Sequence, residues 1–213
     1  MSSLTLNDRD NFWHDVKPES SRRILEAAIV CFAARGYNAT TTREIAKRAG
    51  MSPAAIYVHF PSKQALLYKV NCTGHVAVLA DVRKSLEGIR SPNERLWQFM
   101  RAYVSWHARN HTLARACQYD LRQIPPNYFD EIRDLRRQVE MLLGNELRAG
   151  LESGDFVFPD LATTSLALLS LGIDVARWYT ERAQTPDDLG AAYADLALRI
   201  VGANPEWITD MAN

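Results

Sequence analysis

No stretch of this chain stays apolar for the roughly 20 residues that a membrane-spanning helix needs. Nor does the 213-residue sequence lean to one charge, since 25 Lys and Arg balance 25 Asp and Glu. The N-terminal MSSLTLNDRDNFWHDVKPES is polar and mixed in charge, which argues against a secretory signal there. Cysteine is scarce. Cys31, Cys72 and Cys117 show no metal-ligand spacing and cannot all pair within one chain. A reduced core thiol is expected at Cys31, and with it a reducing, cytoplasmic setting. Alternating strand patterns and a dinucleotide-binding glycine loop are missing too. No nucleophile–base–acid arrangement stands out, so catalytic residues, cofactors and an enzymatic role are not expected. What is left is 47% hydrophobic, enough for a substantial core in one or two helical domains.

Residues 41 to 60, TTREIAKRAGMSPAAIYVHF, carry the most local information. Thr41 and Glu44 form a capping box, in which each side chain satisfies a backbone N–H that a helix start leaves unpaired. Ile45, Ala46 and Ala49 give that helix one apolar face, while Arg43, Lys47 and Arg48 lie on the others. Gly50 stands where a left-handed residue ends a helix. Ser52 then caps a second helix, and Pro53 suits its first position. Two short helices and a tight turn make a helix-turn-helix. In that arrangement one helix braces on the phosphate backbone while the start of the other enters the major groove. The small residues Ser52, Pro53, Ala54 and Ala55 allow close approach to base edges, and alanine can meet a thymine methyl. Tyr57, His59 and Lys63 offer donors suited to flanking phosphates. An ordinary helical hairpin with solvated cations would explain some of these features but not their joint occurrence.

AAIVCFAARGYNATTTREIAKRAGMSPAAIYVHFPSKQALL resembles the N-terminal domain of the TetR (tetracycline-repressor-like) family of bacterial transcriptional regulators. The likeness runs over about residues 18 to 70 and includes Tyr37, Thr41-Thr42, Ile45-Ala46, Ala49-Gly50, Tyr57, His59-Phe60, Lys63 and Leu66. It implies that Thr42 and Arg43 touch phosphate or a base, that Ser52 to Ala55 read bases, and that Tyr57, His59 and Lys63 grip the backbone. It implies little about an effector, because the C-terminal part of such proteins varies.

The neutral total hides an asymmetry. Residues 17 to 70 hold nine Lys or Arg against three acids, leaving 16 against 22 elsewhere. A basic head on an acidic body is the footprint expected if only the head meets double-stranded DNA. Apolar spacing predicts helices near 19–35, 62–86, 91–110, 112–123, 127–152, 160–183 and 186–202, besides the two of the motif. Ser91 and Glu94 have the spacing of a second capping box. The expected fold is all-α. A flexible arm (1–17) precedes a three-helix DNA-binding domain (18–65), a helical effector-binding and dimerisation domain (66–204) and a tail (205–213).

A ligand pocket is expected where aromatics crowd: Trp97, Phe99, Met100, Tyr103, Trp106, His107, Cys117 and Tyr119, joined by Met141, Trp178 and Tyr179. Aromatics at this spacing also make plain core. Arg101, Arg109, Arg122 and Asn145 are further polar candidates, and arginines there would suit a carboxylate or phosphate on a hydrophobic effector. Relatives of this type often sense lipid or steroid catabolites, some as coenzyme A thioesters. His107 and His111 have a spacing that can hold a metal, but no third ligand accompanies them, so a solvated or capping pair is expected. DLATTSLALLSLGIDVARWY and DLGAAYADLALRIVGA are largely apolar and read as helices pairing with a second copy, Ala167, Ser170 and Gly172 permitting close approach. These expectations converge on a homodimeric, ligand-responsive repressor of a palindromic operator. A constitutive DNA-binding protein without an effector, and an enzyme using the C-terminal cavity, stay open as alternatives.

Overall fold

The computed structural model describes residues 16–118, 124, 126–180 and 184–204, with the side chain of residue 127 left out. Nine α-helices and no strand occur among the described residues: α1 (Glu19–Ala39), α2 (Thr42–Ala49), α3 (Pro53–His59), α4 (Lys63–Ser85), α5 (Pro92–Arg109), α6 (His111–Gln118), α7 (Pro126–Ser153), α8 (Leu161–Trp178) and α9 (Pro186–Ile200). The predicted helices are all present, with ends within a few residues except that the one expected over 160–183 stops at Trp178, where Tyr179 turns to an extended ψ of 134°. Of the 112–123 helix, residues beyond Gln118 lie outside the described ones, as do the arm to residue 15, Tyr119, Arg122 and the tail. The chain divides into two compact units. One comprises Met1–Ala77 and Arg115–Ile132, the other Val78–Ala114 and Arg133–Asn213.

In the first unit, Ile24, Leu25, Ala28 and Phe32 bury the inner face of α1. The helix bends where Gly36 takes φ 76°, a conformation costly for any residue with a Cβ. The carbonyls freed there find partners. Thr40 Oγ1 donates to the carbonyl of Gly36 (2.8 Å), and Lys63 Nζ donates to those of Tyr37 and Thr40 (both 2.8 Å). Cys31, expected as a core thiol, is only half-buried.

The second unit packs α5 against α8 and α9 through missing side chains. A methyl on Gly190 would stand 2.6 Å from the carbonyl oxygen of Arg101 and 2.1 Å from Ser105 Oγ. One on Gly172 would stand 2.6 Å from the Tyr103 ring. Gly172 therefore serves this core, not contact with a second copy; Ala167 and Ser170 remain exposed. Asp160 and Thr185 cap α8 and α9, accepting from the N–H groups of Thr163 and Asp188. Ser91 does not cap α5: its side chain makes no capping bond, and Pro92 has already removed one unpaired donor. Nearby, Arg95 forks onto the buried Glu146 (2.6 and 2.8 Å) and donates to the carbonyls of Leu86 (3.1 Å) and Ile89 (2.8 Å). That knot joins α5, α7 and the end of α4.

Candidate nucleic-acid interface

The helix-turn-helix forms as its local chemistry demands. Thr41 Oγ1 accepts from the Glu44 N–H (3.2 Å), and a Glu44 carboxylate oxygen accepts from the Thr41 N–H (2.9 Å). The Thr41 N–H and hydroxyl, both donating to that carboxylate, hold the Glu44 carboxyl below its ordinary range, and Arg35 at 2.5 Å adds a smaller effect. Gly50, with φ 68° and ψ 37°, closes α2 through bonds to the Ala46 and Lys47 carbonyls. Arg23 from α1 donates to the neighbouring Ala49 carbonyl (2.6 Å), a cation at a helix C-terminus. Ser52 Oγ accepts from the Ala55 N–H (3.3 Å) and starts α3, whose Ile56 is its anchor in the core.

The face this leaves outward has the predicted composition. Ser52, Pro53 and Ala54 are exposed and Ala55 partly so, presenting a blunt helix start with little side chain in the way. Arg43 is exposed beside it on α2. Tyr57 is 53% exposed, and its hydroxyl pairs with Thr42 Oγ1 (3.2 Å), so one bond spans α2 and α3. The ring of His59, at the end of α3, meets Ser21 Oγ through Nδ1 (3.1 Å). The surface offers hydroxyl, imidazole and guanidinium groups around a helix end free of bulk. Phosphate and base edges are the chemistry it fits.

Lys63 departs from the expectation. Its ammonium is spent on the Tyr37 and Thr40 carbonyls and lies 4.0 Å from the Tyr37 ring centroid. Desolvation there lowers its pKa. It is a strut for the end of α1 before it is a phosphate ligand. Ser21 and Arg23, which hold the motif from behind, were missed because no local pattern marks a residue that acts 26 to 38 positions away.

The expected pocket residues separate. Met100, Tyr103, Trp106 and His107 are buried together on α5. His107 Nδ1 donates to the Tyr103 carbonyl (2.7 Å), its ring lying edge-on to Tyr103 and Trp106. Burial pushes its pKa down to about 4, against the smaller effect of that hydrogen bond. A solvated His107 is thus ruled out. His111 does cap, at the Ala108 carbonyl (3.0 Å), and no metal-ligating cluster occurs among the described residues. Trp97 is half-buried, with its indole N–H on Asp195 (2.8 Å) and Arg101 5.4 Å from its ring. Arg109 pairs with Asp187 (2.9 Å) and Asn145 is exposed. Met141 (52% exposed) and Trp178 (49%) lie on the surface, so they do not join the buried group. Trp178 falls on the outer side of α8, whose nearly all-round apolar sequence hid which face turns in, and Met141 falls on the outer side of the charged α7. Cys117 belongs to the first unit, its thiol donating to the Val70 carbonyl (3.6 Å). Arg136, whose charge reaches Tyr103, was not foreseen.

Comparison with known proteins agrees with this geometry. Residues 24–70 match the family model described as bacterial regulatory proteins, tetR family, and residues 90–201 match the tetracyclin repressor-like C-terminal domain. A tetR-family regulatory protein from Rhodococcus RHA1 is 42% identical, with 88% of this chain and 99% of that one covered at a TM-score of 0.82. The HTH-type transcriptional repressor KstR2 of Mycobacterium tuberculosis is 33% identical over 147 residues, 67% of this chain and 72% of that protein. Its solved structure, named as a ketosteroid transcriptional regulator, superposes with a TM-score of 0.78 at 25% identity, covering 86% and 95% of the two chains. Alignments to the HTH-type regulators YuxN and YerO of Bacillus subtilis span only 17% and 24% of those proteins. No helix among the described residues is long and apolar enough to cross a membrane. Matched over both its N-terminal motif and most of the remainder, the chain belongs to the TetR family of bacterial DNA-binding transcriptional regulators.

Proposed function

We propose that the protein is a cytoplasmic, homodimeric repressor, released from a palindromic operator by a small hydrophobic effector of the lipid- or steroid-catabolite class, free or as a coenzyme A thioester. The observation that carries the effector class is the 33% identity to KstR2 over 147 residues, far longer than the DNA-reading motif alone. Residues 18–65 read DNA, with Thr42, Arg43, Ser52 to Ala55, Tyr57 and His59 as contacts. Residues 66–204 bind effector and dimerise. Met100, Tyr103, Trp106 and His107 supply an apolar surface with one imidazole nitrogen as acceptor. Exposed Leu166, Leu171, Ile173 and Trp178 on α8, with Leu196 and Ile200 on α9, favour pairing with a second copy. A two-fold dimer suits half-sites about 34–36 Å apart. Effector binding acts through α4, one uninterrupted helix with residues in both units. A coupling of about 1–3 kcal/mol suffices.

The test uses a duplex recovered from random DNA by the wild-type protein. Tyr57→Phe and His59→Ala should each weaken binding in an anisotropy titration while sedimentation reports an unchanged dimer. Unaltered affinity in both removes them from the interface. Thermal-shift screening against acyl and steroid-derived coenzyme A thioesters and their free acids addresses the effector. A ligand at 100 times its dissociation constant stabilises by about 2.7 kcal/mol.

A further inference from the structure

We infer that Ser21 is a positioning residue for DNA binding, whose hydroxyl holds His59 in the neutral tautomer carrying its proton on Nε2, where it serves as a hydrogen-bond donor to phosphate. The inference rests on the assignment of the α2–α3 surface to DNA.

Ser21 lies in the first turn of α1 and is buried, whereas His59 ends α3 and is half-buried. Ser21 Oγ and His59 Nδ1 are 3.1 Å apart, and each is the other's side-chain partner among the described residues. Three proton arrangements are possible. A neutral ring protonated on Nδ1 would donate to Oγ, and the buried serine proton would then lack an acceptor among the described residues. It would also make Nε2 an acceptor, unable to bond phosphate oxygens, which only accept. A charged imidazolium repairs the second fault but keeps the first. With Oγ–H donating to Nδ1, the serine is satisfied and Nε2 carries the only free ring proton. An unmet buried donor is costly, so the third arrangement prevails. The neighbouring cation, Lys63, is already engaged with two carbonyls. The phosphate grip at this edge thus falls to neutral donors, Tyr57 and His59. Neutral donors displace no counterions, so they add affinity without adding salt dependence.

Nitrogen-15 NMR of the free full-length protein at pH 8.5 tests the tautomer directly. Wild type should show His59 protonated on Nε2, and Ser21→Ala should show a mixture. A proton on Nδ1 in wild type, or a tautomer unmoved by Ser21→Ala, overturns the inference. Binding to the selected duplex supplies the second arm. Ser21→Ala should weaken it about two- to twelvefold, the range a single hydrogen bond supports. The slope of log affinity against log salt should not change, whereas loss of a cationic contact would lower it by about one. In a double-mutant cycle, adding Ser21→Ala to His59→Ala should cost nothing more. Additive losses, or a changed salt slope, overturn the inference. Should no duplex bind at any salt, it is the assignment of function that fails, while the NMR result still stands for or against the Ser21–His59 pair.

Discussion

The DNA-reading motif of the first compact unit and the interior of the second place their polar partners at different distances along the chain. In the helix-turn-helix of the first, partners sit close in sequence: Thr41 with Glu44 and Ser52 with Ala55 are three residues apart and Thr42 with Tyr57 fifteen, while the bonds that brace it from α1, Arg23 with Ala49 and Ser21 with His59, span 26 and 38. In the second, besides local caps at Asp160 and Thr185, the bonds that join helices are distant: Arg95 with Glu146 is 51 apart, Ser105 with Pro186 81, Trp97 with Asp195 98. The histidines differ in burial. His59 is half-buried with Nδ1 on Ser21 Oγ, while His107 is 6% exposed and buried among aromatic rings. A surface built to touch DNA leaves its donors near water and stabilises the fold little. A core that buries charge and imidazole gains specificity of packing, and losing either partner there is expensive.

The largest effect expected from this contrast comes from Arg95→Met. It strands the Glu146 carboxylate, buried and stripped of its bidentate partner, and frees the carbonyls of Leu86 and Ile89. Breaking a buried pair by removing one member costs about 3–5 kcal/mol. Urea unfolding should register that loss. A cost below about 1 kcal/mol would mean that solvent reaches Glu146, and would blur the distinction between the units.

Acid provides the next test. The folded pKa of His107 is pushed down to about 4 by desolvation, below the roughly 6.5 of an exposed imidazole. Between those values the unfolded chain takes up the proton and the folded one does not. The contribution is therefore complete above about pH 6.5 and is lost as pH falls towards 4, on the order of 3 kcal/mol in all. His107→Gln should remove that limb from a plot of unfolding free energy against pH. Parallel curves for the variant and wild type between pH 7 and 4.5 would contradict the burial argument. Glu44 and Asp160, both held below the ordinary carboxylate range mainly by hydrogen bonds, add acid sensitivity common to the two proteins.

This difference between the units is also the difference between what could and could not be read beforehand. The head was legible because its determinants lie three to four residues apart: a capping box, a left-handed glycine, a serine cap followed by proline. The existence of each later helix was legible from apolar spacing. Which of its faces turns inward was not. Helix α8 is apolar nearly all round, and the buried side is fixed by Gly172 against Tyr103, a contact made across 69 positions. Trp178 was misplaced for that reason, and so was the role of Gly172; Met141 lies on the charged outer face of α7. Lys63 was misread differently: an exposed cation and one that caps a bent helix look alike until Gly36 is known to break α1.

The smallest expected effect sharpens the comparison most. Ser52→Ala removes the side-chain acceptor for the Ala55 N–H at the exposed start of α3. Loss of a helix cap costs about 1 kcal/mol, within a range of about 0.5–2, and here water can replace part of the bond. The domain should stay folded, because Ile56 and the buried face of α2 are untouched. Affinity for the selected duplex should still fall, because the same serine stands at the blunt end proposed to approach the bases. Base preference, read by repeating the selection with the variant, should change at the positions nearest that end. A variant that lost as much stability as Arg95→Met, or one that kept both affinity and preference, would break the rule that this unit separates function from stability. Substitutions in the other unit have no such freedom, because there each polar group that shapes the interior also holds it together.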